Sequence, residues 1–355
     1  MFAVLCYSPF KMLCFIVLLL SFSSSSSDNP IQAKRYTVNL DLPPEQRWLD
    51  IAKEYKEHGR QIVDVLKSML PPKVFPLLEQ LALFADNHFP APYPDEMRGY
   101  AKGFNISLAD MILCNILYDL TAYCTSIVAQ DKDGNVYHAR NLDYGHAAYL
   151  RKTTYMVDFQ SKGNTVYSGT AFSGQVGLAT AQRPNAVTIT IDERDQGNFI
   201  ENLMMFILDK KALPSMFAVR NVVAADNMDF NQAVKYLSEV HLDADVYYIV
   251  GGVKAGEGAV ITRDKLKAVN VWKLDAPQRW FLVETNYDHW TTPPTSDDRR
   301  DPAIHALNKT GQANVDLIAL YKVLSISPVL NNSTVYTTVM QAKDGSAFNT
   351  WVRQP

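Results

Sequence analysis

The sequence predicts an α+β fold in which β-sheets are covered by layers of helices. Strand-like segments follow one another in runs, and helix-like segments form separate blocks before and between those runs. Such grouping is typical of α+β architecture, whereas strict alternation would indicate βαβ units. The 355 residues are 47% hydrophobic and 20% charged, the balance of a globular protein that can build one large core or two modest domains.

Residues 1–27 are predicted to be a secretory signal peptide. A short apolar run, MLCFIVLLL at residues 12–20, lies behind Lys11 and is followed by the serine tract Ser23–Ser27. This order of positive charge, apolar run and small residues indicates cleavage near residues 25–28. A retained signal anchor is the alternative, but the run is shorter than the roughly 18–20 residues that a membrane span needs.

Residues 44–120 are predicted to be mainly helical. Glu45–Leu70 consists largely of helix-forming residues, and Pro71-Pro72 separates it from a second stretch. Apolar residues in that stretch recur at three- and four-residue steps and form one stripe: Val74, Leu77, Leu78 and Leu81. Core packing and contact with lipid both fit such a stripe. We predict that it contacts a membrane surface, together with Met204–Phe206.

From Cys124 onward the pattern changes to strands. Two β-like runs, Thr125–Gln130 and Asn135–Asn141, are joined by Asp131-Lys-Asp-Gly134, which is typical of a hairpin turn. Further strands are predicted at residues 154–160, 165–172, 176–181, 186–191, 246–251, 259–262, 269–272, 280–284, 333–340 and 347–353. Helices are predicted at residues 198–240, with an interruption at Pro214, and at residues 314–324.

Charge and residue spacing exclude several classes of function. The net charge of −3 argues against a nucleic-acid partner, because such binding needs a clustered basic surface. The sequence has no G-x-S-x-G elbow of a serine hydrolase, and the glycines between Gly251 and Gly258 lack the Lys-Ser/Thr of a phosphate-binding loop. No H-x-x-x-H pair and no zinc-like cysteine spacing occur. We therefore expect neither a metal site nor a cofactor.

The cysteines include a candidate nucleophile. After loss of the signal peptide only Cys114 and Cys124 remain, and they either form one disulfide or leave a thiol free for chemistry. Cys124 opens a predicted strand, and a hairpin that turns at Gly134 brings Arg140 and Asp143 back beside it. A cation lowers the pKa of a neighbouring thiol, and a carboxylate can hold an amine in position.

A histidine base is a second interpretation of this hairpin. His138 alternates with Arg140 and therefore lies on the same face of the predicted strand. A Cys–His dyad requires such a base within reach of the thiol. The sequence pattern keeps both arrangements open.

The stretch CTSIVAQDKDGNVYHARNLDYG, which begins at Cys124, closely resembles the start of a known catalytic subunit. That subunit belongs to the acid ceramidase and N-acylethanolamine-hydrolysing acid amidase family. The resemblance continues in order through IDERDQG (191–197), ADVYYIVGG (244–252), VETNYDHW (283–290), DDRR (297–300) and NSTVYTTVM (332–340). Members are cysteine N-terminal-nucleophile hydrolases. The resemblance therefore implies an αββα sandwich with a mainly helical N-terminal subunit packed on it.

The resemblance also implies that the precursor cuts itself between Tyr123 and Cys124. Residues 28–123 would then form a helical α-subunit and residues 124–355 a catalytic β-subunit, which stay together as a heterodimer. Cys124 would become the nucleophile, and its own α-amine would act as the base.

Further positions match the active-site pattern of the family. Arg140 and Asp143 match its active-site pair, and Asn286 matches the position that donates to the oxyanion. Glu193 and Arg299 match polar positions implicated in substrate placement and self-cleavage.

The family hydrolyses fatty-acid amides, and two features favour its N-acylethanolamine branch. ADVYYIVGG and DHW (288–290) are more similar to that branch, and the mature chain lacks the additional cysteines that tie ceramidase subunits together. We therefore expect hydrolysis of N-acylethanolamines, such as N-palmitoylethanolamine, to a fatty acid and ethanolamine through a Cys124 thioester, with an acidic pH optimum. Acid ceramidase activity, and a lipid-binding relative without catalysis, are the alternatives.

N-glycosylation sequons support a luminal or secreted protein. They begin at Asn105, at Asn308 and at the overlapping pair Asn331 and Asn332. The family resemblance, together with the signal peptide and these sequons, implies delivery to the lysosome or partial secretion, and the apolar stripe predicts peripheral contact with membranes.

Overall fold

Two β-sheets lie face to face, with helices on both outer sides, in the computed structural model of the protein. The structure describes residues 28–68, 72–116, 122–194 and 199–355. Buried apolar residues join the two sheets, and Val128, Tyr247 and Ile249 are among them. This arrangement is the αββα layering that the family resemblance implies.

The strands are numbered β1–β14 in chain order. They are β1 Ile31–Gln32, β2 Lys34–Asn39, β3 Ala122–Gln130, β4 Val136–Tyr144, β5 Thr154–Ser161, β6 Asn164–Phe172, β7 Thr180–Arg183, β8 Val187–Glu193, β9 Val246–Gly251, β10 Gly258–Arg263, β11 Ala268–Lys273, β12 Phe281–Glu284, β13 Thr334–Met340 and β14 Phe348–Val352. The small sheet has six strands in the order β1-β14-β13-β4-β3-β12, and the large sheet has eight in the order β11-β10-β9-β8-β7-β6-β5-β2. The pairing of β2 with β5 is parallel, and the other pairings are antiparallel.

Helices cover the outer face of each sheet. They are α1 Leu49–Glu54, α2 Lys56–Ser68, α3 Phe75–Asp86, α4 Tyr93–Phe104, α5 Leu108–Ile116, α6 Ala147–Thr153, α7 Phe199–Leu208, α8 Ser215–Ala224, α9 Phe230–Glu239, α10 Arg300–Thr310 and α11 Leu317–Val323. Leu307 on α10 and Leu320 on α11 pack with Ala139 of the small sheet. The helices α1, α4, α8 and α9 share the main core with the large sheet. None of the helices in the described ranges has the length and apolarity that a membrane span requires.

The predicted hairpin after Cys124 is confirmed. β3 and β4 pair antiparallel, with Cys124 opposite Leu142 and Ser126 opposite Arg140. The turn contains Gly134 at φ +85°, a left-handed conformation that glycine adopts without a steric penalty. This register fixes which side chains of the two strands share a face.

The mainly helical N-terminal segment, residues 28–123, also supplies edge strands to both sheets. β1 pairs with β14 in the small sheet, and β2 pairs with β5 in the large sheet. Asp28 adds an ion pair with Arg353 at 2.6 Å. The sequence analysis predicts the helices of this segment but neither strand, since β1 is only two residues long and β2 finds its partner far along the chain.

A buried ion pair fixes the helical segment to the rest of the chain. Glu96 on α4 is fully buried, and its carboxylate accepts a hydrogen bond from Arg220 on α8 at 2.8 Å. Arg47 at 3.0 Å and the indole nitrogen of Trp48 at 2.7 Å donate to the same carboxylate. Removing one partner of such a pair costs about 3–5 kcal/mol, because the other charge stays buried.

Three further elements differ from the sequence prediction. The strand predicted at residues 176–181 begins only at Thr180, because residues 176–179 form an irregular buried segment before β7. The sequence does not predict α6 or α10. α10 contains Pro302 in its first turn, where proline is tolerated because no helical hydrogen bond is lost there.

The structure describes one side chain of the predicted apolar stripe, that of Leu78, and it contradicts the prediction of lipid contact there. Leu78 is only 3% exposed and belongs to the main core, so the prediction that it contacts lipid is wrong. The reason is that α3 packs against α5 and α7. The side chains of Val74, Leu77 and Leu81 lie outside the described residues, as does the predicted signal peptide.

Candidate active site

Cys124 is 1% exposed, and its thiol contacts a guanidinium. Arg140 Nη2 donates to Cys124 Sγ at 2.5 Å, and Arg140 Nη1 donates to the carbonyl of Ala179 and the hydroxyl of Thr180, both at 3.1 Å. The Cys124 and Arg140 side chains therefore point between the sheets. Cys114 and Cys124 are both free thiols, so the disulfide alternative is wrong.

The surroundings of the Cys124 thiol favour its protonated form. Burial raises the pKa of Cys124, because a thiolate loses its hydration inside the protein. The positive charge of Arg140 acts in the opposite direction, whereas the negative charge of Asp192 raises the pKa of the thiol further. The fraction of Cys124 present as the reactive thiolate therefore depends on how strongly the positive charge of Arg140 stabilises the sulfur.

Asn286 holds the backbone nitrogen of Cys124. Asn286 Oδ1 accepts from Cys124 N at 2.8 Å and from Arg299 Nη2 at 2.8 Å, and Asn286 Nδ2 donates to the backbone carbonyl of Glu193 at 2.8 Å. Two donors on Oδ1 fix the orientation of the amide. The structure thus brings Asn286 to Cys124 and ties the carbonyl of Glu193 to the same network. The roles of Asn286 towards an oxyanion and of Glu193 towards substrate stay predictions.

Arg299 connects the nucleophile to the outer face of the small sheet. Its Nη1 donates to the carbonyl of Cys124 and, at 3.2 Å, to Thr125 Oγ1. The same Nη1 lies 3.5 Å from Asp143 Oδ2, and the Asp297 carboxylate accepts from Nε and Nη2 at 2.7 and 2.8 Å. Arg299 therefore binds both the backbone of Cys124 and two carboxylates.

The hairpin brings Asp143 back beside Cys124, but the Asp143 side chain lies on the opposite face of the sheet from the thiol. Alternation along β4 places it on the opposite face from Arg140. Asn331 Nδ2 donates to Asp143 Oδ2 at 2.9 Å. Burial raises the pKa of Asp143, and the charge of Arg299 opposes that effect. Arg299 is thus the link between Asp143 and the nucleophile.

The position of His138 rules out the histidine-base interpretation. His138 lies opposite Val128, four residues along β3 from Cys124, which is about 13 Å in a strand. Its ring nitrogens lie 3.0 and 3.1 Å from the hydroxyls of Thr188 and Thr190. Burial, helped by the Arg140 charge, lowers the pKa of His138 to about 3.

Asp192 and Ser126 are site residues that the sequence analysis misses. Asp192 is fully buried on β8, and its Oδ1 lies 3.7 Å from Arg140 Nη2. Ser126 Oγ donates to the same oxygen at 2.7 Å. The signal for Asp192 in the sequence is weak: it is a carboxylate directly after the strand predicted at residues 186–191, next to Glu193, and a charge is rarely buried without a partner.

A polar cleft of about 540 Å³ opens beside the Tyr123–Cys124 bond. It is lined by Tyr123, Asp143, Thr295, Ser296, Asp297, Asp298, Arg299, Pro328, Asn331 and Ser333. Tyr123 is 49% exposed, and its ring centre lies 6.0 Å from the guanidinium carbon of Arg299. The bond before Cys124 therefore lies between a buried thiol and an open cleft. In the described part of the chain, no three His, Cys, Asp or Glu side chains are grouped so that they could hold a metal ion.

Two family models match the chain. The model of linear amide C–N hydrolases of the choloylglycine hydrolase family matches residues 124–301, and the model of the beta subunit of N-acylethanolamine-hydrolysing acid amidase matches residues 32–89. The mouse N-acylethanolamine-hydrolysing acid amidase is 43% identical over 345 residues, which cover 96% of this chain and 95% of the mouse protein. The chain belongs to the N-acylethanolamine acid amidase family.

Two further relatives agree with this family. Human acid ceramidase is 36% identical over 339 residues, which cover 90% of this chain and 85% of that protein. A solved structure of the Caenorhabditis elegans N-acylethanolamine-hydrolysing acid amidase ortholog is 39% identical, covers 65% of this chain and 100% of that chain, and has a TM-score of 0.60. The resemblance, its amidase branch and the N-terminal-nucleophile fold are confirmed. The protein is a hydrolase of amide bonds.

Proposed function

We propose that the protein is an N-acylethanolamine amidase that acts through Cys124 after self-cleavage of the Tyr123–Cys124 bond. The observation that carries the proposal is the arrangement of Cys124, whose thiol contacts Arg140 and whose nitrogen is held by Asn286. A thiol beside a cation is a nucleophile, and the nitrogen becomes an α-amine once the bond is cut. Cys124 then carries both the attacking thiol and the basic α-amine that an N-terminal nucleophile needs.

In the first reaction the Cys124 thiol attacks the carbonyl carbon of Tyr123. A C–S bond forms, the peptide C–N bond breaks, and the thiol hydrogen ends on the Cys124 nitrogen, which gives a thioester and a free amine. Water then hydrolyses the thioester, restores the thiol and leaves Tyr123 with a carboxylate. Asn286 holds the nitrogen of Cys124 and Arg299 holds its carbonyl, so the residue is fixed at two backbone atoms during this step.

In the second reaction the α-amine of Cys124 accepts the thiol proton, and the thiolate attacks the carbonyl carbon of the fatty-acid amide. The tetrahedral intermediate collapses with cleavage of its C–N bond, and the ammonium gives its proton to the leaving amine. Water hydrolyses the remaining thioester with the amine as base. Arg140 stabilises the thiolate, and Asn286 is the proposed donor to the oxyanion.

The uncut chain should be inactive for a geometric reason. The Cys124 side chain is buried and does not line the cleft, whereas Tyr123, which pairs with Asp143 in the sheet, does. Release of Tyr123 after cleavage would connect the cleft to the thiol. Processing would then create the α-amine and open the path for the substrate in one event.

The comparisons support a two-subunit product. The family model for amide hydrolases begins at Cys124. The nematode chain is covered in full by 65% of this chain, and residues 124–355, which are 232 of 355, make up the same share. We propose that residues 28–123 and 124–355 stay together as the α- and β-subunits, joined by the two edge strands and the Glu96 cluster.

N-acylethanolamines are the proposed substrates because the chain is more similar to the mouse amidase, at 43% identity, than to human acid ceramidase, at 36%. The test compares hydrolysis of N-palmitoylethanolamine and N-palmitoylsphingosine by the same preparation, with Cys124→Ala as the control. We expect a fragment that begins at Cys124 and faster hydrolysis of the ethanolamide. Faster hydrolysis of the ceramide would make the protein a ceramidase, and binding of both lipids without hydrolysis would make it a lipid-binding relative.

We propose that the membrane contact lies on α3 and α7, at side chains other than the predicted stripe. Both helices present exposed apolar side chains: Leu83, Phe84, Met204, Ile207 and Leu208. The helices pack against each other, so these side chains lie on neighbouring surfaces. Of the second predicted group, Met204 is exposed and Phe206 is buried. Apolar side chains of this kind can enter the boundary of a bilayer, where fatty-acid amides partition.

Vesicle binding tests this surface. The double variant Phe84→Ser and Leu208→Ser should bind vesicles more weakly and hydrolyse vesicle-borne substrate more slowly, with unchanged activity on dispersed substrate. Ile318→Ser is the matched control, because Ile318 is 65% exposed on α11, on the other side of the sandwich. Equal loss of vesicle binding in both variants would contradict the proposal.

We propose delivery to the lysosome with glycans at Asn105, Asn308 and Asn332, all of which are exposed. Asn331 is partly buried, and its side-chain amide bonds to Asp143 and to the backbone nitrogen of Ser333. A glycan on Asn331 Nδ2 would crowd its contact with the buried Asp143, so Asn332 is the proposed acceptor of the overlapping pair. Mass spectrometry of deglycosylated peptides distinguishes the two asparagines.

A further inference from the structure

Arg140 lies between two groups that can carry negative charge. Its Nη2 is 2.5 Å from Cys124 Sγ and 3.7 Å from Asp192 Oδ1. Arg140 and Asp192 are fully buried, so solvent and salt do not screen their interaction. One positive charge cannot stabilise two negative charges as well as it stabilises one. An ionised Asp192 therefore competes with a Cys124 thiolate for Arg140.

The contacts of the two Asp192 carboxyl oxygens are compatible with both the ionised and the neutral form of the group. Oδ1 accepts from Ser126, whereas Oδ2 is buried and has no hydrogen-bond partner among the described residues. A carboxylate normally has both oxygens bonded or solvated, and an oxygen without a partner favours the neutral acid. Burial raises the pKa of Asp192 to about 7, against the opposing effects of Arg140 and Ser126.

Charged and titratable groups face Asp192 from several elements. They are Cys124 and Ser126 on β3, Arg140 on β4, Tyr247 on β9, Glu284 on β12, Tyr336 on β13 and Arg299 before α10. Glu284 is fully buried and raises the pKa of Asp192, because two neighbouring carboxylates resist simultaneous ionisation. Arg299 lowers it. Among these groups Arg140 is the one that also contacts the thiol.

We propose that Asp192 is a positioning residue that sets the upper pH limit of hydrolysis by competing with Cys124 for Arg140. The inference rests on the proposed function of Cys124, because it concerns the thiolate of the processed enzyme. While Asp192 keeps its proton, the charge of Arg140 stabilises the thiolate–ammonium pair of Cys124. When Asp192 loses its proton, it neutralises Arg140, and the pair returns to thiol and amine. Activity therefore falls as the pH rises through the ionisation of Asp192.

The geometry disfavours a direct proton transfer from Cys124 to Asp192. Among the described residues no hydrogen bond joins Cys124 Sγ to Asp192; both groups lie near Arg140 Nη2, and a guanidinium only donates hydrogen bonds. Ser126 cannot relay the proton in its present orientation, since it donates to Asp192 and accepts from Thr190 Oγ1 at 2.9 Å. Competition for charge is the interaction that these contacts support.

The test is the pH dependence of kcat/KM of processed enzyme whose first residue is verified as Cys124. One pH unit above the alkaline midpoint, the wild type keeps about one tenth of its maximum, as expected for a single ionisation. Asp192→Asn should keep more than about half of its own maximum at that pH. Ser126→Ala removes the hydrogen bond that the Ser126 hydroxyl donates to ionised Asp192. This variant should therefore raise the alkaline midpoint, but by less than Asp192→Asn does. Asp245→Asn alters a carboxylate outside the group that faces Arg140 and serves as the control, with an unchanged midpoint.

An unchanged alkaline midpoint in Asp192→Asn and Ser126→Ala overturns the inference. A folded and processed Asp192→Asn enzyme that is inactive at every pH also overturns it, because Asp192 would then act as a proton acceptor. If Asp192→Asn does not fold, the shift in Ser126→Ala decides. Hydrolysis that survives in Cys124→Ala is a separate result, which would overturn the proposed function and not the role of Asp192.

Discussion

The two faces of the small sheet carry different parts of the site at the same point of the β3–β4 hairpin. Between the sheets, the Cys124 thiol and Arg140 are buried next to Asp192. On the outer face, Arg299 and Asp143 line an open polar cleft. Consecutive residues of a strand face opposite sides, so one hairpin serves both. The inner face holds the groups proposed to react, and the outer face holds the Arg299 side chain that binds the backbone of Cys124.

The largest expected effect is loss of the inner-face nucleophile. Cys124→Ala should remain a single chain and hydrolyse N-palmitoylethanolamine at less than about one-thousandth of the wild-type rate, because no other group replaces the thiol. Cys124→Ser should still be cut slowly, since a hydroxyl can make the same acyl shift. A denaturing gel with N-terminal sequencing after acid incubation checks both. A Cys124→Ala chain cut before residue 124 would mean that another protease does the processing.

Arg140→Lys should damage hydrolysis more than folding. Lysine keeps the charge but cannot bind the thiol, the Ala179 carbonyl and the Thr180 hydroxyl in the same planar geometry. We expect kcat/KM of the processed enzyme to fall about a hundredfold and alkylation of Cys124 to require higher pH. Thr180→Val, which leaves the guanidinium in place, is the control. An alkylation profile identical to that of the wild type would contradict the role of Arg140.

Asp143→Asn tests the outer face and should slow self-cleavage about tenfold at neutral pH, because Arg299 loses a buried charged partner. Burial raises the pKa of Asp143, so this carboxyl takes up a proton at a higher pH than an ordinary aspartate. At acidic pH the wild type then resembles the variant, and the difference should shrink. Asp297→Asn, at a more exposed partner of Arg299, should have less effect. Equal slowing of Asp143→Asn at both pH values contradicts this account.

The smallest expected effect separates the two asparagines of the overlapping sequon. Asn331→Ala removes the hydrogen bond to Asp143 and should slow self-cleavage about fivefold, which corresponds to the loss of one hydrogen bond of about 1 kcal/mol. Asn332→Gln should remove a glycan and leave the cleavage rate unchanged. Time courses of cleavage on gels measure both. The reverse order of effects would place the glycan, and not the Asp143 contact, in control of cleavage.

The parts of the site that sequence could predict depend on local pattern. The turn at Gly134 and the alternation after it predict the hairpin, and with it the return of Arg140 to Cys124. The position of Asp192 depends instead on how β8 of the large sheet stacks over β3 of the small one, which no local pattern encodes. Arg299 and Asn286 reach Cys124 from far along the chain, and only the resemblance to a family indicates them.

The same distinction applies to the fold. Periodicity predicts an apolar stripe around α3, but it does not say whether lipid or protein covers the stripe, and at Leu78 protein does. β2 is an edge strand whose partner, β5, lies more than a hundred residues away, so its pairing is decided by tertiary contacts. Long runs such as β5 and β6, with a tight turn between them, are predicted well because both strands are close in sequence.

The two ends of the described chain lie at one edge of the small sheet. Ile31 pairs with Val352, and Asp28 accepts from the backbone nitrogen of Gln354 at 2.9 Å. A circularly permuted protein that begins at Cys124 and joins Pro355 to Asp28 through a short linker would therefore keep every strand pairing. Once its initiator methionine is removed, such a protein would present an N-terminal cysteine without any self-cleavage. Self-cleavage would then be required by the order in which the two segments are joined in the chain, and not by the folded structure.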